Sequence, residues 1–213
     1  MDLLIEIADE RRRVADLIDS LTPEQLATPS LCEGWTVQVV AGHLLMPLVT
    51  PLPRVVLSLV RHRLSFDRAN DALSRAVARR PAAELAAGLR QRAATAFKPP
   101  GLGFEAPLND LLVHQQDIRR PLGLPAELVP ERVRVCLDFH AARRQPGSAL
   151  DGIRLEATDL DWVHDPQSPG PDDGGAVLRG PAEALLLVLN RRYVALDELD
   201  GTGLGPVKSR ITG

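Results

Sequence analysis

Prolines cut the first two thirds of this chain into helix-length pieces. Proline cannot sit beyond the first turn of a helix without removing a hydrogen bond and clashing with the turn before it. Many of the 18 prolines of this 213-residue sequence therefore read as punctuation. Between them, apolar residues recur with a helical period. Leu3, Leu4, Ile7, Val14, Leu17, Ile18 and Leu21 form one amphipathic stripe. Thr22-Pro23-Glu24-Gln25 follows as a capping box with proline at the first helical position. Thr36 reads as the N-cap of a helix from Val37 to about Leu48, which Pro51 and Pro53 end. Residues 54–79 read as one long helix, with Ser65-Phe66-Asp67 as a candidate interruption. Pro81 opens a helix to Lys98, and Pro99-Pro100-Gly101-Leu102-Gly103 is a loop. Pro107 opens the next helix, which Pro121 and Gly123 end, and Pro130-Glu131 opens another to about Arg143. Helices joined this closely form a bundle.

The pattern changes at Gln145-Pro146-Gly147-Ser148. Ile153-Arg154-Leu155-Glu156-Ala157-Thr158 alternates with period two, a strand signal, and Ala176-Val177-Leu178-Arg179 is a second short strand. Residues 166–175 form a loop rich in Pro, Gly and Asp. Gly180-Pro181 starts a helix through Leu186, Leu189, Tyr193 and Leu196, and residues 207–211 read as a last strand. The expected architecture is mainly α: a helical bundle over residues 1–146 and a small α+β module over residues 147–213.

Several function classes recede. A net charge of −3 gives no electrostatic argument for nucleic acid or an anionic membrane as partner. No apolar run approaches the roughly 18 residues that span a bilayer. The N-terminus carries Asp2 and Glu6 where a signal peptide carries positive charge, so a cytoplasmic location is expected. Cys32 and Cys136 lie far apart and form no CxxC motif, so both are expected as thiols, with Cys136 filling core. Lys98 and Lys208 are the only lysines, and the Arg, Ala and Pro content reads as a high-GC bacterial coding bias.

One constellation carries chemistry. Asp110 and His114 stand four residues apart on a helix, so both side chains share a face and can reach one cation. His43 lies in the apolar stretch Val39-Val40-Ala41-Gly42-His43-Leu44-Leu45, a poor place for a solvated charge, and Gly42 permits close approach of a neighbouring helix or ligand. Three protein ligands leave a fourth position open for chemistry. A lone histidine on an apolar helix is ordinarily a hydrogen-bonded core residue, and an Asp-x-x-x-His pair can be a mere helix-surface pair. The combination weighs more, because Asp110, His114 and Asp117 form a polar stripe beside Leu108, Leu111, Leu112, Val113 and Ile118 that must be satisfied. Asp117 reads as a partner of a ligand or as an ion pair with Arg119 or Arg120. His62, His140 and His164 have no partner at ligand spacing. Cys32 competes as nucleophile or ligand, but the sequence ties no base to it.

Several stretches carry a family resemblance. Leu21 to Leu26, Pro29-Ser30-Leu31-Cys32-Glu33-Gly34-Trp35-Thr36-Val37 and Gly42-His43-Leu44 resemble the opening of the mycothiol-dependent maleylpyruvate isomerase family, within the DinB-like metal-binding four-helix bundles. Val113 to Gly123 resembles that family's second metal helix, and Gly152 to Asp159 with Asn190-Arg191-Arg192 resembles its C-terminal module. The resemblance implies a divalent metal, zinc first with nickel as an alternative, held by His43, Asp110 and His114. Asp110 stands where the family has Glu. It implies Arg192 as the residue that faces the substrate carboxylate, with Arg191 where the family has Gly. It also implies a mycothiol-like thiol cosubstrate and isomerisation or S-transfer on a small acidic substrate. A metal-dependent hydrolase on the same bundle and a non-catalytic small-molecule binding or stress protein stay open, as do monomer and homodimer.

Overall fold

A computed structural model describes residues 1–143, 148–165 and 175–212. The chain divides into two compact units, Met1–Glu127 and Leu128–Gly213. The expected break at Gln145-Pro146-Gly147 and nearly all of the expected loop over 166–175 lie outside the described residues.

The first unit contains α1 (Leu3–Ser20), α2 (Pro23–Ala27), α3 (Val37–Val49), α4 (Leu52–Arg61), α5 (Phe66–Val77), α6 (Ala82–Gln91) and α7 (Glu105–Arg119). Side chains start several of them. Asp2, Thr22, Thr36 and Ser65 each accept a backbone N–H of the first turn, and Gln25 returns the second bond of the capping box. These bonds satisfy donors that a helix start leaves without partners. The long helix expected over 54–79 is two helices. Arg63 and Leu64 take positive φ of 56° and 62°, which turns the chain, and Ser65 caps a fresh start. The helix expected to reach Lys98 stops at Gln91. Beyond it, buried Arg11 donates through Nη1 to the carbonyls of Ala93 at 2.8 Å and Thr95 at 2.7 Å, replacing helical partners.

Helix α1 packs on α6 and α7, and α3 packs on α5, α6 and α7. Between them Ile7, Ile18, Leu45, Leu85, Leu89, Leu108 and Leu112 are fully buried. The approach of α3 to the end of α5 depends on Gly42: a Cβ there would stand 2.6 Å from the Cβ of Ala78.

The second unit contains α8 (Pro130–Ala141), β1 (Arg154–Ala157), β2 (Val163–His164), β3 (Val177–Gly180), α9 (Ala182–Leu189), a 3-10 turn (Tyr193–Glu198) and α10 (Leu204–Thr212). Helix α8 packs on α9, so it groups with the C-terminal residues although the change of sequence character comes after it. The sheet order is β2-β1-β3. Strand β1 pairs antiparallel with β2, Leu155 facing His164, and parallel with β3, Leu155 facing Leu178. The two-residue strand β2 is too short to show an alternation.

Two expectations in this unit are corrected. Residues 207–211 are helical in α10, not a strand. Pro206 pre-sets helical φ in the first turn and cannot donate to a ladder, and the outer side of β3 is already bridged by Asp200 opposite Arg179. The helix expected through Leu196 breaks after Leu189. Arg191 takes φ +64°, and Arg192 donates its N–H back to the Leu187 carbonyl at 2.8 Å, a left-handed helix stop.

Candidate functional site

The packing of α3 on α7 brings together three side chains that the sequence keeps far apart. His43 Nε2 lies 3.6 Å from Asp110 Oδ2, and His114 Nε2 lies 3.3 Å from Asp110 Oδ1. One donor atom from each residue falls within 4.8 Å of the other two. Ligands on a tetrahedral zinc-type ion with bonds near 2.05 Å stand about 3.3 Å apart. The donor set therefore fits a small divalent cation, and the shorter Asp110 reaches as far as the set needs. The imidazoles are nearly buried, at 14% and 11% exposure, whereas the Asp110 side chain is 43% exposed. The site opens to solvent on the carboxylate side.

A second layer holds the two imidazoles. His114 Nδ1 is 2.7 Å from Asp117 Oδ2, and Asp117 is wholly buried. That bond directs Nε2 of His114 toward Asp110 and His43, as a carboxylate behind a ligating histidine does. Asp117 therefore partners a ligand candidate, and Arg119 pairs instead with Glu127 at 2.8 Å. His43 Nδ1 lies 3.2 Å from Ser74 Oγ on α5, which leaves Nε2 for the donor set. Trp35 packs beside His43 with ring centroids 5.2 Å apart, and its Nε1–H donates to Asp71 at 2.7 Å.

Cys32, to which the sequence ties no base, stands beside two polar partners in the structure. Its Sγ donates to Asp117 Oδ2 at 3.1 Å and lies 3.6 Å from His114 Nδ1. The Leu31 N–H donates to the Asp117 carbonyl at 3.2 Å, which ties the Cys32 loop to α7. Cys32, His114 and Asp117 thus form a second group able to hold a cation. Spacing decides between the groups. The 2.7 Å from His114 to Asp117 is a hydrogen bond and shorter than the gap between two ligands of one ion. The second group reads as a relay behind His114, the first as the donor set. Ser74, Trp35 and Asp71 had no signal in sequence spacing, because only the helix packing places them here.

Charge reinforces the arrangement. Although Asp110 is partly exposed, desolvation by the packed side chains around its carboxyl works against ionisation, but the two imidazoles outweigh it and hold the carboxyl well below the usual range. Burial likewise opposes a charged His114, and the Asp110 carboxylate, then the hydrogen bonds to Asp117 and Cys32, raise it well above the ordinary imidazole value. Two acids around two imidazoles make a pocket that favours positive charge, from protons or from a cation.

The remaining candidates have surroundings of their own. Arg192 sits at the start of the 3-10 turn in the second unit, partly buried, and its guanidinium donates to the Asn190 carbonyl at 2.9 Å. Arg191, where the resembling family has Gly, is the residue with positive φ. His62 bonds the Ser58 carbonyl at 2.8 Å, and His140 lies against Phe139 with ring centroids 5.1 Å apart. Cys136 is fully buried in α8, as its apolar neighbours suggested.

A protein family described as "Mycothiol maleylpyruvate isomerase N-terminal domain" matches residues 7–119, which include all three donors, Cys32 and Asp117. No curated protein matches the chain. Among solved structures, the crystal structure of a mycothiol-dependent maleylpyruvate isomerase is similar in fold, with 14% identity and a TM-score of 0.55, covering 94% of this chain and 90% of that one. A crystal structure of a histidine-to-alanine mutant of the mycothiol-dependent maleylpyruvate isomerase is similar at 13% identity and a TM-score of 0.53, with the same coverage.

Proposed function

This chain belongs to the mycothiol maleylpyruvate isomerase N-terminal domain family, and on that premise we propose that it is a metal-dependent enzyme. It activates a low-molecular-weight thiol of the mycothiol kind for isomerisation or S-transfer on a small acidic substrate. The observation that carries this reading is the His43, Asp110 and His114 donor set at coordination spacing, with its carboxylate partly exposed.

His43, Asp110 and His114 would hold the metal, zinc in the first instance. When bound, a divalent cation supplies the positive charge that keeps a thiol ionised at neutral pH. Asp117 and Ser74 fix the two imidazoles so that each presents Nε2. The partial exposure of Asp110 leaves a path for thiol and substrate. A thiolate adding to an activated double bond leaves a single bond that rotates, and its expulsion restores the double bond in the other geometry. No electron or proton is consumed overall. Arg192 is proposed to pair with the substrate carboxylate in fork geometry, on the support of the helix-terminal arginine that the family resemblance singles out. A cytoplasmic location accompanies the reading, since a thiol cosubstrate needs a reducing compartment; no helix among the described residues is long and apolar enough to cross a membrane.

The test is calorimetry of thiol binding to zinc-loaded protein in buffers of different ionisation enthalpy. About one proton should be released per site, because the sulfur enters as a thiol and stays as a thiolate. His114→Ala should lose stoichiometric zinc. Thiol binding indifferent to metal, or turnover of substrate that needs metal but no thiol, would overturn the thiol reading; zinc retained in full by His114→Ala would overturn the donor set.

A further inference from the structure

Helix α4 keeps little of its apolar surface inside its own unit. Of its ten residues only Ser58 is buried, while Leu52, Val56, Leu57 and Val60 are 73%, 51%, 48% and 62% exposed. Leu64 and Phe66, just beyond its end, are 76% and 71% exposed. A ten-residue helix is marginal alone in water, and α5 is its chief support. Together the six side chains present on the order of 700 Å² of surface, more than the 300–600 Å² of the largest apolar patch on a typical monomer.

We propose that this face is where a second copy of the chain docks, α4 against α4, in a two-fold homodimer. The area is close to the ~800 Å² per partner that a stable interface of standard size buries. The pattern is self-complementary. Leu52, Val56 and Val60 follow one another at four-residue steps, so the face is an i±4 ridge. Two such ridges interdigitate, which is the commonest way for two helices to cross, and a two-fold axis requires one patch to fit itself. Arg54 and Arg61 lie on the far side of Leu57 from the ridge, where they become a polar rim. A lipid surface fits less well: cations would flank the stripe on both sides, and the chain as a whole carries −3.

The experiment is sedimentation or light scattering of the full chain between about 1 and 100 μM. Wild-type protein should be a dimer. Val60→Asp and Val56→Asp, both at exposed positions, should keep the wild-type helical circular dichroism and weaken the dimer at least 100-fold. Ile5→Asp, on the 64%-exposed end of α1, should leave the dimer intact. A wild-type monomer throughout that range, a dimer that survives both α4 substitutions, or a dimer broken equally by Ile5→Asp would overturn the proposal. So would flotation of monomeric wild-type protein with phosphatidylglycerol vesicles that Val60→Asp abolishes.

Discussion

Replacing Asp117 by Asn tests whether the second layer of the site holds a metal ligand in place. Asn keeps the shape and an acceptor for His114 Nδ1–H but removes the charge. The carboxylate lies 2.7 Å from Nδ1. The width of the ring and one coordination bond add roughly 4 Å, so the charge would sit about 6–7 Å from a cation at Nε2. At an effective dielectric near 20 that separation is worth about 2.5 kcal/mol per unit charge. Solvent beside the 43%-exposed Asp110 screens part of it. Loss of such a partner costs about 10–100-fold in metal affinity. The expected loss is about 2 kcal/mol, or roughly 30-fold weaker zinc binding. Competition with a chromophoric chelator measures the dissociation constant directly. Cys32→Ser, which keeps a donor toward Asp117, should stay within about 3-fold of wild type. Zinc affinity unchanged in Asp117→Asn would refute the relay. A loss beyond about 10⁴-fold would mean that Asp117 is itself a ligand and that the Cys32, His114 and Asp117 group holds the metal.

Three further perturbations bear on stability. Gly42→Ala gains about 1 kcal/mol of helix propensity but drives a Cβ to 2.6 Å from Ala78 Cβ and 2.7 Å from its backbone nitrogen, and overpacking of 1–3 kcal/mol wins where backbone must move. Its melting temperature should fall by roughly 2–6 °C, and a rise would refute the close approach. Arg191→Gly relieves a non-glycine left-handed residue at φ +64° and should stabilise the chain by about 0.5–1 kcal/mol in denaturant titration, net of the added freedom of the unfolded chain; destabilisation would count against that backbone. Burial, then Arg143, lowers His140 to about 4 from its ordinary 6.5. Between those values the unfolded chain takes up a proton that the folded chain refuses, so stability falls as pH drops through that window and levels off below it. Allowing for solvent at this partly exposed residue, the loss should be about 1–2 kcal/mol, and His140→Phe should flatten it.

Much of the helical order was legible locally. Thr22, Thr36 and the prolines act within one turn of themselves, so the starts of α2, α3 and α8 stand where capping chemistry puts them. Where a tertiary contact competes, local reading overran: Arg11 draws the carbonyls after Gln91 out of the helix, and the turn at Arg63 and Leu64 splits one periodic stretch in two. The last segment read as a strand because Val207 and Ile211 are β-formers, yet a strand needs a partner edge, and only the fold decides whether one is vacant.

The same division runs through the site. An i, i+4 pair is a property of one helix, so Asp110 and His114 were visible as neighbours from their spacing alone. His43 could be suspected from its apolar surroundings, but its distance to Asp110 is set by the packing of α3 on α7. The roles of Cys32, Ser74 and Trp35 belong wholly to tertiary structure, because a hydrogen bond across 85 residues of chain, as between Cys32 and Asp117, leaves no periodicity for a sequence to show. Sequence determined which side chains each helix could offer on a face. Packing decided which faces met, since helix–helix contact depends on the shape of two surfaces at once and neither is written in the other's sequence.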